Sequence, residues 1–355
     1  MSFPLTVGLA LLVVTPWFGL SGCLGLRSEP SRPCHQELDL REAIQLHYDG
    51  RPELSEVLPV VEPRYPFHEI LLSWNADTTP KAGVEFELRV GRGVDGWSPW
   101  LYFGEWNTSR SPEACTKFES GRVDVDYFTS DVYWERIQIR VTARFSDDAL
   151  RGERSRVDRL HLCFTDRYAL PELETRPPRA RAPLAVPSLS QREQDPEIAS
   201  RICSPTSVAM ALSYAGVDVT PKDVAARAYD ANFDLFGNWP RAIQSAYTFG
   251  APGYLTRFAS WKPVERLLAK GHVVILSVAF GEGELAGAPM GSSRGHLLLV
   301  CGFSEEGDVI VNDPAAATEQ EVRRRYSRDQ LSRAWQGHGG TAYVFEVSAG
   351  TADGG

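Results

Sequence analysis

Cys203 stands in the run Arg201-Ile-Cys-Ser-Pro-Thr-Ser-Val-Ala-Met210, whose pattern predicts a helix starting at the cysteine. Pro205 suits a first helical turn, where a missing N–H costs nothing. Ser204 and Thr206 are placed to satisfy the unpaired N–H groups of that turn. The positive end of a helix favours a thiolate over a thiol, and the thiolate is the nucleophile. A thiolate needs a proton partner, and the chain later supplies Gly295-His296 and then Asn312-Asp313-Pro314. The competing reading of Cys203 is a small buried apolar residue, the usual role of a lone cysteine.

Two strands flanking Ser304-Glu-Glu-Gly307 must bring the histidine and the aspartate together. If the turn takes those four residues, Phe303 pairs with Asp308 and partner numbers sum to about 611. His296 then lies opposite Ala315, two positions from Asp313, and the two side chains share a sheet face because strands alternate with period two. An odd loop would break this arrangement. The aspartate can then hold the imidazole in one tautomer, turned toward the thiolate. Gly295 would permit close approach at the mouth of a cleft, and Pro314 biases Asp313 toward extended backbone.

The 355 residues leave room for two domains, with 43% hydrophobic and 23% charged residues, as expected of a globular protein. A net charge of -9 and the lack of a basic stripe argue against nucleic acid as a partner. Arg323-Arg324-Arg325 reads as a solvated helix face. Residues 3 to 26 carry no charge, and Leu5 to Val14 has the character of a signal-peptide core, so residues 1–22 are expected to be a signal peptide. Leu20-Ser21-Gly22-Cys23 resembles the lipobox of bacterial lipoproteins, which implies lipidation at Cys23 and a membrane contact through that lipid. An uncleaved anchor is the alternative, since about 20 apolar residues span a bilayer. Either way the protein is expected to be exported to the cell envelope or beyond. In that oxidising setting, one bridge among Cys34, Cys115 and Cys163 is open in three pairings, while Cys301 reads as an inert thiol in a buried strand.

Residues 35–168 alternate apolar and polar over Phe67–Trp74, Val84–Val90, Ile137–Arg144 and Arg159–Phe164, the mark of half-buried antiparallel strands. No helix of useful length intervenes, so a β-sandwich is expected. Its tryptophans, Trp97-Ser-Pro-Trp100 in particular, could stack on a glycan or plug the ends of the sandwich. Residues 169–185 are proline-rich and read as a linker. Residues 186–348 read as helices at 206–215, 221–229, 239–248 and 263–270, then strands at 273–280, 296–303, 308–311 and 342–347, with a polar tail at 349–355. That is an α+β domain.

The ordered set Val186-Pro-Ser-Leu-Ser-Gln191, Cys203-Ser-Pro-Thr-Ser, Asn238-Trp-Pro240, Gly295-His to Phe303, Val311-Asn-Asp-Pro314 and Arg325-Tyr326 resembles the papain-like cysteine peptidases of the bacteriocin-processing superfamily, family C39 and its like branch. The resemblance spans nearly the whole second domain. It implies an α+β chain, an antiparallel β-sandwich followed by a papain-like cysteine peptidase domain. It also implies Cys203 as nucleophile, His296 as general base and acid, Asp313 as the orienting residue and Gln191 as an oxyanion-hole donor. The insertion from Arg192 to Ile202 separates that glutamine from the cysteine, which keeps Gln194 as a competitor. His272 reads as a turn residue and His338 as part of a loop, and no zinc spacing or other cofactor motif is present. The loop Gly281–Gly287 lacks the Gly-Lys ending of a phosphate loop and carries two glutamates. The expected activity is hydrolysis of an amide bond in a peptide or protein substrate through an acyl-enzyme. The alternatives are a silent glycan- or protein-binding lipoprotein and a cell-wall peptide amidase or acyl transferase.

Overall fold

The computed structural model describes residues 33–94, 96–168 and 182–349. The signal segment, Cys23 and most of the proline-rich stretch lie outside the described residues. The first domain is two antiparallel sheets packed face to face, as its alternation predicts. The larger sheet is built on the long strands Phe67–Thr78 and Arg154–Thr165, the smaller on Ala82–Arg92 and Arg136–Phe145. Ile70, Leu72, Trp74, Leu160, Leu162 and Phe164 fill the space between the sheets.

Trp74, Trp106 and Trp134 are buried in this core. Arg89 lies over both Trp97 and Trp100, with Arg136 and Arg140 each over one of them. No disulfide joins the described cysteines, so the one bridge expected among Cys34, Cys115 and Cys163 is not formed in any of its three pairings. Cys34 pairs with Phe164 and His35 with Cys163, which puts the two cysteines on opposite faces, and Cys115 is exposed elsewhere.

The second domain sets helices α1 (Cys203–Tyr214), α2 (Pro221–Ala228), α3 (Trp239–Thr248) and α4 (Lys262–Ala269) beside a six-stranded antiparallel sheet. Numbering the strands of this sheet alone, they are β1 (Gly253–Arg257), β2 (Val273–Phe280), β3 (Ser293–Phe303), β4 (Val309–Asn312), β5 (Arg323–Tyr326) and β6 (Thr341–Phe345). Their spatial order is β1-β6-β2-β3-β4-β5. Helix α1 is buried on every side, which its small residues Ser204, Ser207, Ala209 and Ala211 allow. The arginine run 323–325 is not a helix face. It forms strand β5, where Arg323 binds Asn312 and the Val186 carbonyl, Arg324 binds the Gly287 carbonyl and Arg325 pairs with Asp308. Strand β1 and the helix Arg328–Trp335 also stand where the sequence pattern predicts none.

The turn between β3 and β4 is one residue longer than the sequence pattern suggests. Phe303 pairs with Val309, a partner sum of 612, and Ser304 N–H bonds the Asp308 carbonyl. A bulge at Cys301 then resets the register, and Val300–Val311 and Leu299–Asn312 sum to 611. The odd loop is thereby cancelled before the strand reaches His296.

The two domains share a core. From Ile70 to Ala76 the even residues face the sandwich interior, whereas Leu71 packs into the second domain's core. Ser73 accepts the Leu255 N–H and Asn75 donates to the Gly253 carbonyl. Gln244 of α3 closes a pair of bonds with one residue, accepting from Ala76 N–H at 2.8 Å and donating to Ala76 O at 2.7 Å. Cys163 Sγ accepts the Arg257 N–H at 3.3 Å. Gln244→Leu would strand a buried N–H and a buried carbonyl together, a loss of about 2–4 kcal/mol. Denaturant unfolding should report that loss, with both domains unfolding in one transition. A loss below about 1 kcal/mol would place Ala76 within reach of other partners.

Candidate active site

Cys203 is the first residue of α1, and Ile202 before it supplies no side-chain cap. The expected capping by Ser204 and Thr206 does not occur. Ser204 Oγ sits 3.0 Å from Tyr343 OH, and Thr206 Oγ1 is buried with no hydrogen-bond partner. The start of the helix serves the sulfur instead: Cys203 Sγ is hydrogen-bonded by the backbone of Ser204 and Leu297 and by His296. Ser207, one turn along, donates to the Leu297 carbonyl at 3.2 Å and fixes α1 against β3.

His296 lies on β3, almost wholly buried, with Nε2 2.8 Å from Asp313 Oδ1. Its other ring nitrogen, Nδ1, is left for Cys203, with which the ring also hydrogen-bonds. Asp313 follows the last residue of β4 and is 1% exposed. It accepts the Ala315 N–H at 3.0 Å and the Tyr326 hydroxyl at 2.6 Å, so both carboxylate oxygens are engaged. Tyr326 has no assigned role in the sequence reading. Its signal is its position in β5, opposite Val309 and two strands from His296.

The charges follow from these contacts. Burial alone would push the Cys203 thiol up, but the hydrogen bond and charge of His296, with the two backbone bonds, bring it below its ordinary value. Burial alone would push His296 down, but the Asp313 charge and hydrogen bond, then Cys203, raise it to about 10. Burial opposes ionisation of Asp313, and His296, Tyr326 and Ala315 together hold it below the usual carboxylate range. Each of the three shifts favours the charged form of its group: thiolate, imidazolium and carboxylate. Cys301, buried without such partners, is pushed up to about 12 by burial.

Gln191 opens a short 3-10 turn at the mouth of the second domain. Its N–H bonds the Pro314 carbonyl at 2.8 Å, and Ser190 donates to Ala316 O at 2.6 Å, which seats the turn beside Asp313. The amide of Gln191 donates to the Ala199 carbonyl at 2.8 Å, and its Oε1 is buried without a partner. The insertion after Gln191 therefore grips the glutamine, leaving one amide hydrogen uncommitted. Gln194 donates to Ser190 O and braces the turn from outside. Asn312 ties the approach of this segment to β4, donating to Pro187 O at 3.0 Å and accepting from Arg323 at 2.6 Å.

Gly295 is not a point of close approach. A Cβ there would meet nothing within 4 Å, and the residue is exposed. The glycine-rich loop is held by one of its own side chains and one from the helix Arg328–Trp335, with Glu284 accepting the Gly281 N–H and Gln330 the Ala286 N–H. His272 contacts the Val347 carbonyl, and His338 lies in the turn Gln336–His338.

Residues 183–343 match the model of the Peptidase C39 like family, and residues 55–162 match the Peptidase C39 N-terminal domain. No curated protein matches the chain by sequence. Among solved structures, a protein described as a C39-like peptidase from Bacillus anthracis is 16% identical, with a TM-score of 0.35, over 50% of this chain and 100% of its own. A structure of infectious bursal disease virus, Gx strain, reaches 8% identity and a TM-score of 0.24 over 44% of this chain and 40% of its own. Likeness at those scores adds nothing to the two family matches. The chain carries a Peptidase C39-like domain preceded by a C39-type N-terminal domain.

Proposed function

We propose that this protein is an exported cysteine peptidase that hydrolyses an amide bond through Cys203, His296 and Asp313. The observation that supports this reading is a single imidazole hydrogen-bonded at once to Asp313 and to the sulfur at the start of α1. In the reaction, the Cys203 thiolate attacks the substrate carbonyl carbon and a C–S bond forms. The Cys203 N–H and the free amide hydrogen of Gln191 are the candidate donors to the resulting oxyanion, each worth roughly 3 kcal/mol in such a role. The His296 imidazolium gives its proton to the leaving amine as the C–N bond breaks. Neutral His296 then takes a proton from water, whose hydroxide attacks the thioester and releases the acid and the thiolate. Asp313 keeps the ring in one tautomer throughout, and Tyr326 holds Asp313.

Cleavage of a mixed peptide library should vanish in Cys203→Ala and His296→Ala, and fall by about 10²–10⁴ in Asp313→Asn. Wild-type-like turnover in Cys203→Ala would sink the proposal, and so would a wild type that cleaves nothing. The rate should rise with pH as Cys203 ionises, below the ordinary thiol range, and fall as His296 loses its proton near 10. A group whose pKa is raised by folding stabilises the protein below its unfolded value. The His296 contribution to stability is therefore full below pH 6.5 and lost toward 10.

Tyr326→Phe should lower kcat about tenfold with KM nearly unchanged and move the acidic limb of the profile upward, because Asp313 loses one of its charge-assisted bonds. An unshifted profile would make Tyr326 a packing residue only. Export rests on the segment before Cys23, and Cys23→Ala should abolish incorporation of a labelled fatty acid in a bacterial host. Retained label would refute lipidation there.

A further inference from the structure

Val125 forms the tip of the sandwich hairpin between the strands Gly121–Asp124 and Tyr127–Trp134, and its φ is 60°. A β-branched residue is an outlier in that left-handed region. Asp126 N–H bonds the Asp124 carbonyl at 2.7 Å, closing a three-residue turn of a rare and strained kind. Backbone strain of this sort persists where the surroundings fix the conformation. What it fixes here is the position of Asp126, whose Oδ2 accepts the Trp239 N–H at 3.1 Å where α3 begins. Tyr127, the next residue, stacks on the Trp239 ring with centroids 6.3 Å apart. The turn thus reaches from the sandwich to the first residue of a helix in the second domain.

Asp126 is 9% exposed, and among the described residues no lysine or arginine pairs with it. The cations on the elements around it are engaged elsewhere. Arg241 of α3 binds the Glu105 carboxylate at 2.9 Å and the Glu105 carbonyl at 3.2 Å. Arg257 at the end of β1 pairs with Glu69, and Arg122 pairs with Asp124 inside the hairpin. Two other acids stand close by: Asp124 in the same turn, and Asp230, which accepts from the Asn238 amide at 2.8 Å. Tyr343 of β6, whose hydroxyl meets Ser204, lies within reach of the Asp126 charge. Burial is the largest influence on the Asp126 carboxyl and pushes it up to about 7, and Asp124 adds to the rise. The Trp239 N–H and the Arg257 charge act in the opposite sense.

We propose that this strained turn is a proton-sensitive clasp between the two domains, in which Asp126 holds α3 more firmly as a neutral acid than as a carboxylate. The neutral acid still accepts the Trp239 N–H through its carbonyl oxygen, and it leaves no unpaired charge buried at the junction. Unfolding returns Asp126 to water and to its ordinary value of 3.8, so the folded chain holds the extra proton. The Asp126 contribution to stability is therefore full below pH 3.8 and lost as the pH rises through about 7. Acid closes the clasp and neutral pH loosens it. The device is separate from Cys203 and stands whether or not the chain is a peptidase.

The test is urea unfolding of the full chain and of Asp126→Asn across a pH series from about 5 to 8. Asparagine keeps an acceptor for the Trp239 N–H and cannot ionise, and every other titrating group is common to both chains and cancels in the comparison. From about pH 5 to 6.5 the wild-type unfolding constant, divided by that of the variant, should rise about tenfold per pH unit and level off above about 7. A ratio that stays flat or falls overturns the proposal. Infrared spectra of the wild type, with aspartate labelled by carbon-13 at its side-chain carboxyl, supply a readout that needs no folded variant. One protonated aspartate band should be present at about pH 6 and gone at about pH 8.5. A folded wild type with no protonated aspartate at the lower pH overturns the proposal as well.

Discussion

The arrangement of the site depends on one constraint of sheet geometry, the requirement that His296 and Asp313 emerge on the same face of β3 and β4. A one-residue slip exchanges the faces of a strand. The five residues between Phe303 and Val309 would impose that slip, and the bulge at Cys301 removes it. Once the register is 611 again, Asp313 stands opposite residue 298, two positions from His296. The 2.8 Å hydrogen bond follows, and with it the raised proton affinity of the imidazole and the lowered one of the thiol.

The sandwich reaches this site indirectly. The strand Phe67–Thr78 is buried on both faces, giving one to its own core and the other to α3 and β1. Buried bonds cross the junction at Asn75, Ala76 and Cys163, and the Arg241–Glu105 pair adds a largely desolvated charge contact. Breaking one partner of such a pair leaves an uncompensated buried charge, so the two domains hold each other in place. Asp126, at the tip of a sandwich hairpin, accepts the N–H of Trp239 where α3 begins.

Much of this was legible in the residues. Period-two alternation located the four long sandwich strands, and the prolines at 221, 240 and 263 marked helix starts within a residue or two. The alternation over Arg159–Phe164 puts Leu160, Leu162 and Phe164 on one face and Cys163 on the other, and the two sets fall in different cores. What escaped has physical causes. Three consecutive arginines resemble a solvated surface, yet at a sheet edge their long side chains reach carbonyls and carboxylates across the strand. The bulge carries no sequence mark, because Cys301 is as apolar as its neighbours. Tyr326 acts through an aspartate brought near by pairing across β4, a relation no local pattern expresses. The free helix start at Cys203 was misread because Ser204 and Thr206 are good capping types, while here one hydroxyl meets Tyr343 and the other is buried alone.

The central claim is that the resting site holds a thiolate beside an imidazolium. Thiolate absorbance in the far ultraviolet, taken as wild type minus Cys203→Ser across a pH titration, measures that state directly. The account predicts one thiolate equivalent appearing at a pH below the ordinary thiol range. That early step should be lost in His296→Ala. A Cys203 signal that appears only at or above the ordinary thiol range, or one indifferent to His296, would contradict it.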